Sequence, residues 1–381
     1  MSGVNFLEKL LDGVAMDWME LGAVVHMRAG QHISASNIMQ EPSEDYVYPC
    51  FGGNGVRGFV DKNSHDGKHL LIGRQGALCG NVQRTSGKFY ATEHAVVVTA
   101  KNCINIDWAF HLLTLMDLNQ YASQSAQPGL TVGKIASLKI PIPCPDNPRK
   151  SLEIQGEIVR ILDAMTAHIA VLAAELTARK KQYNHYRDQL LSFEEGEVEW
   201  RTLGTIADIN TGQKPSEILE RATCVDYINA GTSRSGYCAA SNCGGDTVTT
   251  PSRGQGGIGY VGYQKEPFWL GPLCYKLQSI DKTILINKYL FYFLQSKNDL
   301  LLGLKKEGGV PAVNKSDLVK LEIPVPLLKE QQRVVSILDK FDALTNSLSE
   351  GLPHEIALRQ KQYEHYRDLL LNFPKPAEIE T

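Results

Sequence analysis

Residues 179–193 read RKKQYNHYRDQLLSF, and residues 359–373 read RQKQYEHYRDLLLNF. Eleven of the fifteen positions are identical. An ordinary amphipathic helix repeats only its apolar spacing, so a repeated run of Gln, Tyr, His, Arg and Asp points to duplication. Working outward, the copies continue. Trp18-Met19-Glu20-Leu21-Gly22 pairs with Trp200-Arg201-Thr202-Leu203-Gly204, and Gly30-Gln31 with Gly212-Gln213. Arg74, Gly80 and Val82 fall opposite Arg253, Gly259 and Val261. Val132-Gly133-Lys134 is matched to Val313-Asn314-Lys315, and Ile140-Pro141-Ile142-Pro143 to Ile323-Pro324-Val325-Pro326. Gln155 with Ile161-Leu162-Asp163 matches Gln331 with Ile337-Leu338-Asp339. Between these landmarks the copies differ strongly. The expectation is one scaffold, an internal repeat of approximate twofold character, holding two different lobes.

The segment after each Ile-Pro-x-Pro reads as a long helix. Ile154, Ile158, Ile161, Met165, Ile169, Leu172 and Leu176 recur at steps of three and four, one helical stripe, and Tyr183, Leu190 and Phe193 carry it on. Val334, Leu338, Phe341 and Leu348 begin a similar stripe, and Gly351-Leu352-Pro353 is expected to break it. The paired tyrosines Tyr183 and Tyr186 with Arg187, and Tyr363 and Tyr366 with Arg367, share one helical face. They fit either packing between helices or docking of another subunit.

The lobes read as mixed α/β. Strand-like runs at 68–72 and 95–99 alternate with glycine-rich turns, and helices are expected over Ile106–Leu118 and Asn287–Gln295. The fold class is therefore α+β: two mixed α/β domains separated by two long antiparallel helices, a coiled-coil spacer. The expected division is an N-terminal connector at 1–22, lobe one at 23–142, a central helical connector at 143–199, lobe two at 200–326 and a C-terminal helical connector at 327–381.

Composition is ordinary, 43% hydrophobic and 21% charged, and the net charge is −3. The charge is uneven. Residues 22–140 carry a net +2 and residues 211–320 a net +4, so the connectors are acidic. Basic lobes suit a polyanion and acidic connectors a protein partner. Eight cysteines (50, 79, 103, 144, 224, 238, 243 and 274) form no Cys-x-x-Cys pair, so free thiols are expected rather than zinc or disulfides. With no signal peptide and no apolar run of 18 residues found, a cytoplasmic location without membrane contact is expected.

Loop residues apt for groove contacts are Asn54, Arg57, Arg74, Gln75, Arg84 and Lys88 in lobe one, and Gln213, Lys214, Arg234, Arg253, Gln255 and Lys265 in lobe two. Arginine suits guanine, Asn or Gln suits adenine, and lysine suits phosphate. Reaction chemistry is not apparent. Gly129-Leu-Thr-Val-Gly133-Lys134-Ile135 lacks the spacing and the Ser or Thr of a P-loop. No Asn/Asp-Pro-Pro-aromatic tetrapeptide of amino-methyltransferases occurs, and neither histidine of the repeated block has a paired nucleophile.

Two variable lobes, each followed by I-P-x-P and a long helix ending in K-Q-Y-x-H-Y-R-D-x-L-L, resemble the specificity subunit of type I restriction-modification systems. The resemblance covers essentially the whole chain. It implies two target recognition domains, each reading one half of a bipartite double-stranded DNA site with an unspecified spacer. It also implies helices that dock two methyltransferase subunits, with restriction subunits joining them. S-adenosylmethionine, ATP and magnesium would belong to those partners, and this chain would hold no catalytic residue, cofactor or metal. A stand-alone DNA methyltransferase and a non-DNA coiled-coil adaptor are the alternatives.

Overall fold

The structure is a computed structural model. It describes residues 10, 13–76, 78–123, 128–194, 196–220, 225–254, 256–306, 308–347 and 349–373; Cys224, Gln255 and Leu348 lie outside them. The chain forms two units, Met1–Val171 with Ile356–Thr381, and Leu172–Glu355.

In unit one, β1 (Met16–Glu20), β2 (Val25–Ala29), β3 (Tyr48–Gly52), β4 (Gly55–Val60), β5 (His69–Gly73), β6 (Val82–Thr85), β7 (Tyr90–Ala91), β8 (Ala95–Ala100) and β9 (Lys139–Pro143) follow in order. They build a four-stranded sheet β2-β8-β5-β6, a three-stranded sheet β4-β3-β7 and a ribbon β1-β9. Strand alternation explains why β5 and β8 are buried on both sides. Leu70, Ile72, Val96 and Val98 face the main core with Trp108, while Leu71 and Val97 face Phe89.

Unit two repeats this strand order. Its strands are β10 (Glu199–Thr202), β11 (Ala207–Thr211), β12 (Val225–Ile228), β13 (Tyr237–Cys238), β14 (Thr247–Pro251), β15 (Gly262–Gln264), β16 (Trp269–Leu270), β17 (Cys274–Ser279) and β18 (Glu322–Val325). They pair as β11-β17-β14-β15, β13-β12-β16 and β10-β18. In both units the three-stranded sheet has one parallel contact, β3 to β7 and β12 to β16.

The landmarks of the repeat acquire physical roles. The Trp block and the Ile-Pro-x-Pro block are the two strands of one ribbon, with Trp18 opposite Pro141 and Trp200 opposite Pro324. Residues 16–20 therefore belong structurally with the first lobe. Ribbon edges suit proline, which has no N–H to offer a further strand. Gly22 and Gly204 allow two short helical turns to touch. A Cβ would come within 3.1 Å of Ala136 Cβ at the first and 2.8 Å of Val319 Cβ at the second.

The helices are α1 (Leu21–Val24), α2 (Ile106–Leu115), α3 (Val132–Ala136), α4 (Pro148–Leu190), α5 (Leu203–Ile206), α6 (Asn287–Ser296), α7 (Asn298–Gly303), α8 (Lys315–Leu318), α9 (Leu328–Asn346) and α10 (Gly351–Leu371). Asn105 starts α2, its side chain accepting from the N–H groups of Asp107 and Trp108 at 2.9 and 3.2 Å. That helix stops three residues short of the expected end, before Asp117 at φ +45. Thr131 and Asn314 are the N-cap residues of α3 and α8, with Leu130 and Val313 buried just before them. The pairing of Val132-Gly133-Lys134 with Val313-Asn314-Lys315 is thereby corrected by two residues: Thr131 corresponds to Asn314.

In α4 the stripe residues Ile154, Ile158 and Leu162 are buried in the core of unit one, joined there by Leu370 and Leu371 of α10. In unit two Tyr183 and Leu191 are buried with Val334 and Leu338 of α9. Tyr183 and Tyr186 meet Phe341 at ring separations of 6.2 and 5.7 Å, while Leu190 and Phe193 share a groove with Glu330 and Arg333. The end of α4 and α9 thus run in opposite directions. The second helix, α9, ends at Asn346, before the motif expected to break it, and α10 begins at Gly351. At Gly351, φ +78, a Cβ would clash with Ala343 O and come within 2.7 Å of Leu344 O, and Pro353 sits in the first turn of α10, where a missing N–H is tolerated. One sequence expectation needs correction: α4 contains an 18-residue window long and apolar enough, by composition alone, to cross a membrane.

Candidate nucleic-acid interface

Four backbone segments of unit one converge at one end of the sheets: the β3–β4 turn, the segment after β5, the β7–β8 turn and the stretch before α3. Arg74 N–H donates to His94 O at 3.0 Å, Gly76 N–H to Pro128 O at 3.0 Å, and Leu130 N–H to Arg74 O at 2.9 Å. A Cβ at Gly53 would lie 3.1 Å from His94 O and 3.7 Å from Gln75 O, which shows how closely the turns approach. Side chains lock this tip. Asn81 Nδ2 donates to Asn54 Oδ1 at 2.7 Å, and His94 Nδ1 lies 2.7 Å from Gln75 Oε1. Asn54, Arg57 and Gln75 are exposed there. Arg74 is half-buried, and its Nε is enclosed with no hydrogen-bond partner among the described residues. Thr92 Oγ1 and Glu93 Oε2, on the neighbouring turn, are also enclosed and unpartnered. Burying such groups without partners is unfavourable. Among the described residues, three such groups lie together at this tip.

Unit two presents a corresponding tip with other residues. Gly254 N–H donates to Pro311 O at 3.2 Å, Val313 N–H to Ser252 O at 2.9 Å, and a Cβ at Gly254 would lie 3.6 Å from Ala230. Arg253 is exposed there. Gln213 joins from the end of β11, its N–H donating to Leu270 O and its carbonyl accepting from Trp269 Nε1 at 2.8 Å. Lys214 follows it, exposed. Arg234, on the 229–236 loop, donates to Asp226 at 2.8 Å and stacks on Tyr237. Gln255 lies outside the described residues.

Arg84 is not at the tip, and the structure corrects its reading as a groove contact. Its guanidinium grips Asp163 of α4 at 2.6 and 2.9 Å, lies 3.1 Å from His111 Nε2 and covers the Phe110 ring at 4.1 Å. Lys88 and Lys265 are exposed in the turns at the other end of the sheets, so the fold separates them from the tips.

The Asp163 corner ties lobe one to its helix. Burial alone would raise the Asp163 carboxyl, but bonds from Arg84 and His111 outweigh it and hold it below the ordinary carboxylate value. Burial pushes His111 below the usual imidazole value, with the Asp163 bond opposing. Nε2 lies 2.9 Å from Asp163 Oδ1 and Nδ1 is enclosed without a partner among the described residues, so a doubly protonated ring would strand a proton at Nδ1. In unit two Asp339 takes this place. It accepts from Tyr292 Oη and pairs with Lys288 at 3.5 Å. Burial and the Asp339 bond raise the Tyr292 phenol.

Of the candidate docking residues, Tyr183 is withdrawn from any exposed face. It is 6% exposed, and burial raises its phenol to about 12. Tyr363 is half-buried beside Arg84 and Asp163, its phenol raised by burial. Arg187 lies 5.7 Å from the Tyr183 ring and bonds Asp188; Arg367 lies 5.8 Å from the Tyr363 ring and bonds Asp368. Tyr186 is 39% exposed and Tyr366 partly so.

Single-sequence reasoning overlooked Asn81 and His94, which hold the exposed amides. Asn81 lies between two repeat landmarks, Gly80 and Val82, and that was the available signal. Among the described residues no group of three or more His, Cys, Asp or Glu side chains could hold a metal, and the seven described cysteines are free.

A family model described as the type I restriction modification DNA specificity domain matches residues 15–178 and again 195–358. The EcoR124I/EcoR124II type I restriction enzyme specificity subunit of Escherichia coli is 36% identical over 428 aligned positions, spanning 100% of both chains. A putative type I restriction enzyme specificity subunit of Haemophilus influenzae is 31% identical over 97% of this chain and 98% of its own. The EcoprrI specificity subunit of Escherichia coli is 65% identical over 143 residues, 38% of this chain and 34% of that one. In fold, the chain is similar to the crystal structure of a type I restriction-modification S subunit from M. genitalium, with a TM-score of 0.70 and 17% identity over 96% and 98% of the two chains. The chain belongs to the family of type I restriction-modification specificity subunits, whose part is DNA recognition rather than catalysis.

Proposed function

We propose that this chain is the address of a type I restriction-modification complex. Each lobe reads one half of a bipartite, asymmetric double-stranded DNA site, and the helices set the unread spacer between the halves as an antiparallel coiled-coil ruler of pseudo-twofold character. The observation that carries the reading is one strand order occurring twice with tips of different chemistry. One frame with two different tips is what a split, asymmetric site requires. The contact set narrows to Asn54, Arg57, Arg74 and Gln75 in lobe one, and to Gln213, Lys214 and Arg253 in lobe two. The parts of the repeated block that reach the surface, exposed Tyr186 and partly exposed Arg187, Tyr366 and Arg367, are the docking face for two methyltransferase subunits. Those subunits bring S-adenosylmethionine, and restriction subunits bring ATP and magnesium chemistry. Lobes at 23–142 and 200–326 are the exchangeable parts, and the assembly works on the cytoplasmic chromosome.

Co-expression with a candidate methyltransferase subunit, followed by single-molecule mapping of adenine methylation, tests this. A split motif with a fixed gap, lost on deletion of this chain, is expected. A well-formed complex that yields no chain-dependent methylation would overturn the reading and favour an adaptor.

A further inference from the structure

We propose that the tip of lobe one reads a guanine edge in the major groove through donors on Asn54, Arg57 and Gln75; the proposal rests on the address function given above. The two amides are polarised by the protein. Asn54 Oδ1 accepts from Asn81, and Gln75 Oε1 faces His94 Nδ1, both at 2.7 Å. Each carboxamide oxygen is turned into the tip and satisfied there, which leaves the NH2 groups of two exposed residues as donors toward a ligand. Arg57 adds a third donor group. Its stem lies over Gly52, where any Cβ would come within 2.6 Å of Arg57 Cδ, and its guanidinium has no hydrogen-bond or ion-pair partner among the described residues.

The base edges then separate by chemistry. An amide reads adenine by accepting from N6 while donating to N7, and one lone pair of each accepting oxygen is already engaged here, which weakens that exchange. Cytosine offers an amino donor, which would confront donors. Thymine offers one acceptor beside a methyl group. Guanine offers two adjacent acceptors, O6 and N7, with no donor between them. An exposed cluster of three donor groups, its amide oxygens already bonded within the tip, is complementary to guanine.

The test uses the assembled methyltransferase complex. A lobe exchange first assigns the half-site read by lobe one. Gln75→Glu and Arg57→Ala are then mapped for methylation. Selectivity is expected to relax at a G·C position of that half, while the other half is unchanged. Wild-type complex is also measured on duplexes carrying 7-deazaguanine in one half. Loss of N7 should weaken binding about 10-fold to 100-fold in the lobe-one half. Relaxation confined to A·T positions, or no response to either variant and to 7-deazaguanine, would overturn the proposal while leaving the address function intact. Absence of any chain-dependent split motif would overturn both.

Discussion

Lobe one and lobe two share a frame and differ at its two ends. The frame is carried by a buried glutamine on each long helix. Gln155 accepts from Asn105 N–H at 2.7 Å and donates to Cys103 O; Gln331 accepts from Ile286 N–H at 2.9 Å and donates to Ile284 O and Pro326 O. Both are fully buried, and both satisfy the loop that precedes the lobe's helix. At the corner beside that glutamine the chemistry diverges. Lobe one uses Arg84 and His111 on Asp163, and lobe two uses Tyr292 and Lys288 on Asp339. At the tip it diverges again, with amides and Arg57 in one and Arg253 with Gln213 in the other. The backbone-satisfying residue is the same in both copies, and its long amide accepts from one backbone N–H and donates to a backbone carbonyl at once. The aspartate's partners are free to vary so long as they donate.

The comparison breaks most readily at the glutamines. Gln155→Leu strands a buried N–H and a buried carbonyl in unit one, a loss of about 3 kcal/mol. For a unit of this size that is roughly a 6–12 °C fall in its unfolding transition. Calorimetry should show Gln155→Leu lowering one transition and Gln331→Leu the other; equal movement of both would show that the glutamines do not act lobe by lobe.

The corners should respond to opposite ends of the pH scale. His111 is depressed and Asp163 is depressed, so unit one loses stability as pH falls, beginning below the ordinary imidazole value of about 6.5 and continuing through the carboxylate range. Tyr292 is raised, so unit two loses stability as pH climbs above the ordinary phenol value of about 10. Melting curves across pH check this, and His111→Tyr should shift the acid onset of unit one downward. Asp163→Asn should cost about 1–2 kcal/mol, a modest figure because Arg84 and Asp163 are 31% and 38% exposed and water screens them.

The smallest effect belongs to the lysines at the far ends of the sheets. Lys88→Ala and Lys265→Ala should leave the salt dependence of DNA binding by the complex unchanged, whereas a phosphate contact would lower its log–log slope by about 1. A lowered slope would move the DNA path away from the tips.

Much of the architecture was legible because duplication exposes itself. The Trp and Ile-Pro-x-Pro blocks repeat because they pair as a ribbon, and the apolar steps of 3 and 4 marked the long helices. The shift of two residues before α3 was not legible, because Val132 and Val313 look alike in sequence although Val132 lies inside the short turn and Val313 is buried before it, while the equivalence is set by the N-caps Thr131 and Asn314. Arg84 was misread for a related reason. An arginine at a strand end looks the same whether it meets solvent or an aspartate 79 residues away. Tyr183 shared a face with Tyr186 by spacing, but spacing cannot say which of the two the neighbouring helix covers. The tip was half visible: its glycines and amides stood out, while Asn81 and His94, which orient them, did not.

The central claim is that each lobe reads its own half of the site. Replacing residues 23–142 with the matching lobe of a relative, in the complete methyltransferase complex, and mapping methylation tests it most directly. The account predicts a new sequence in one half of the motif, with the other half unchanged. A change in both halves would contradict it.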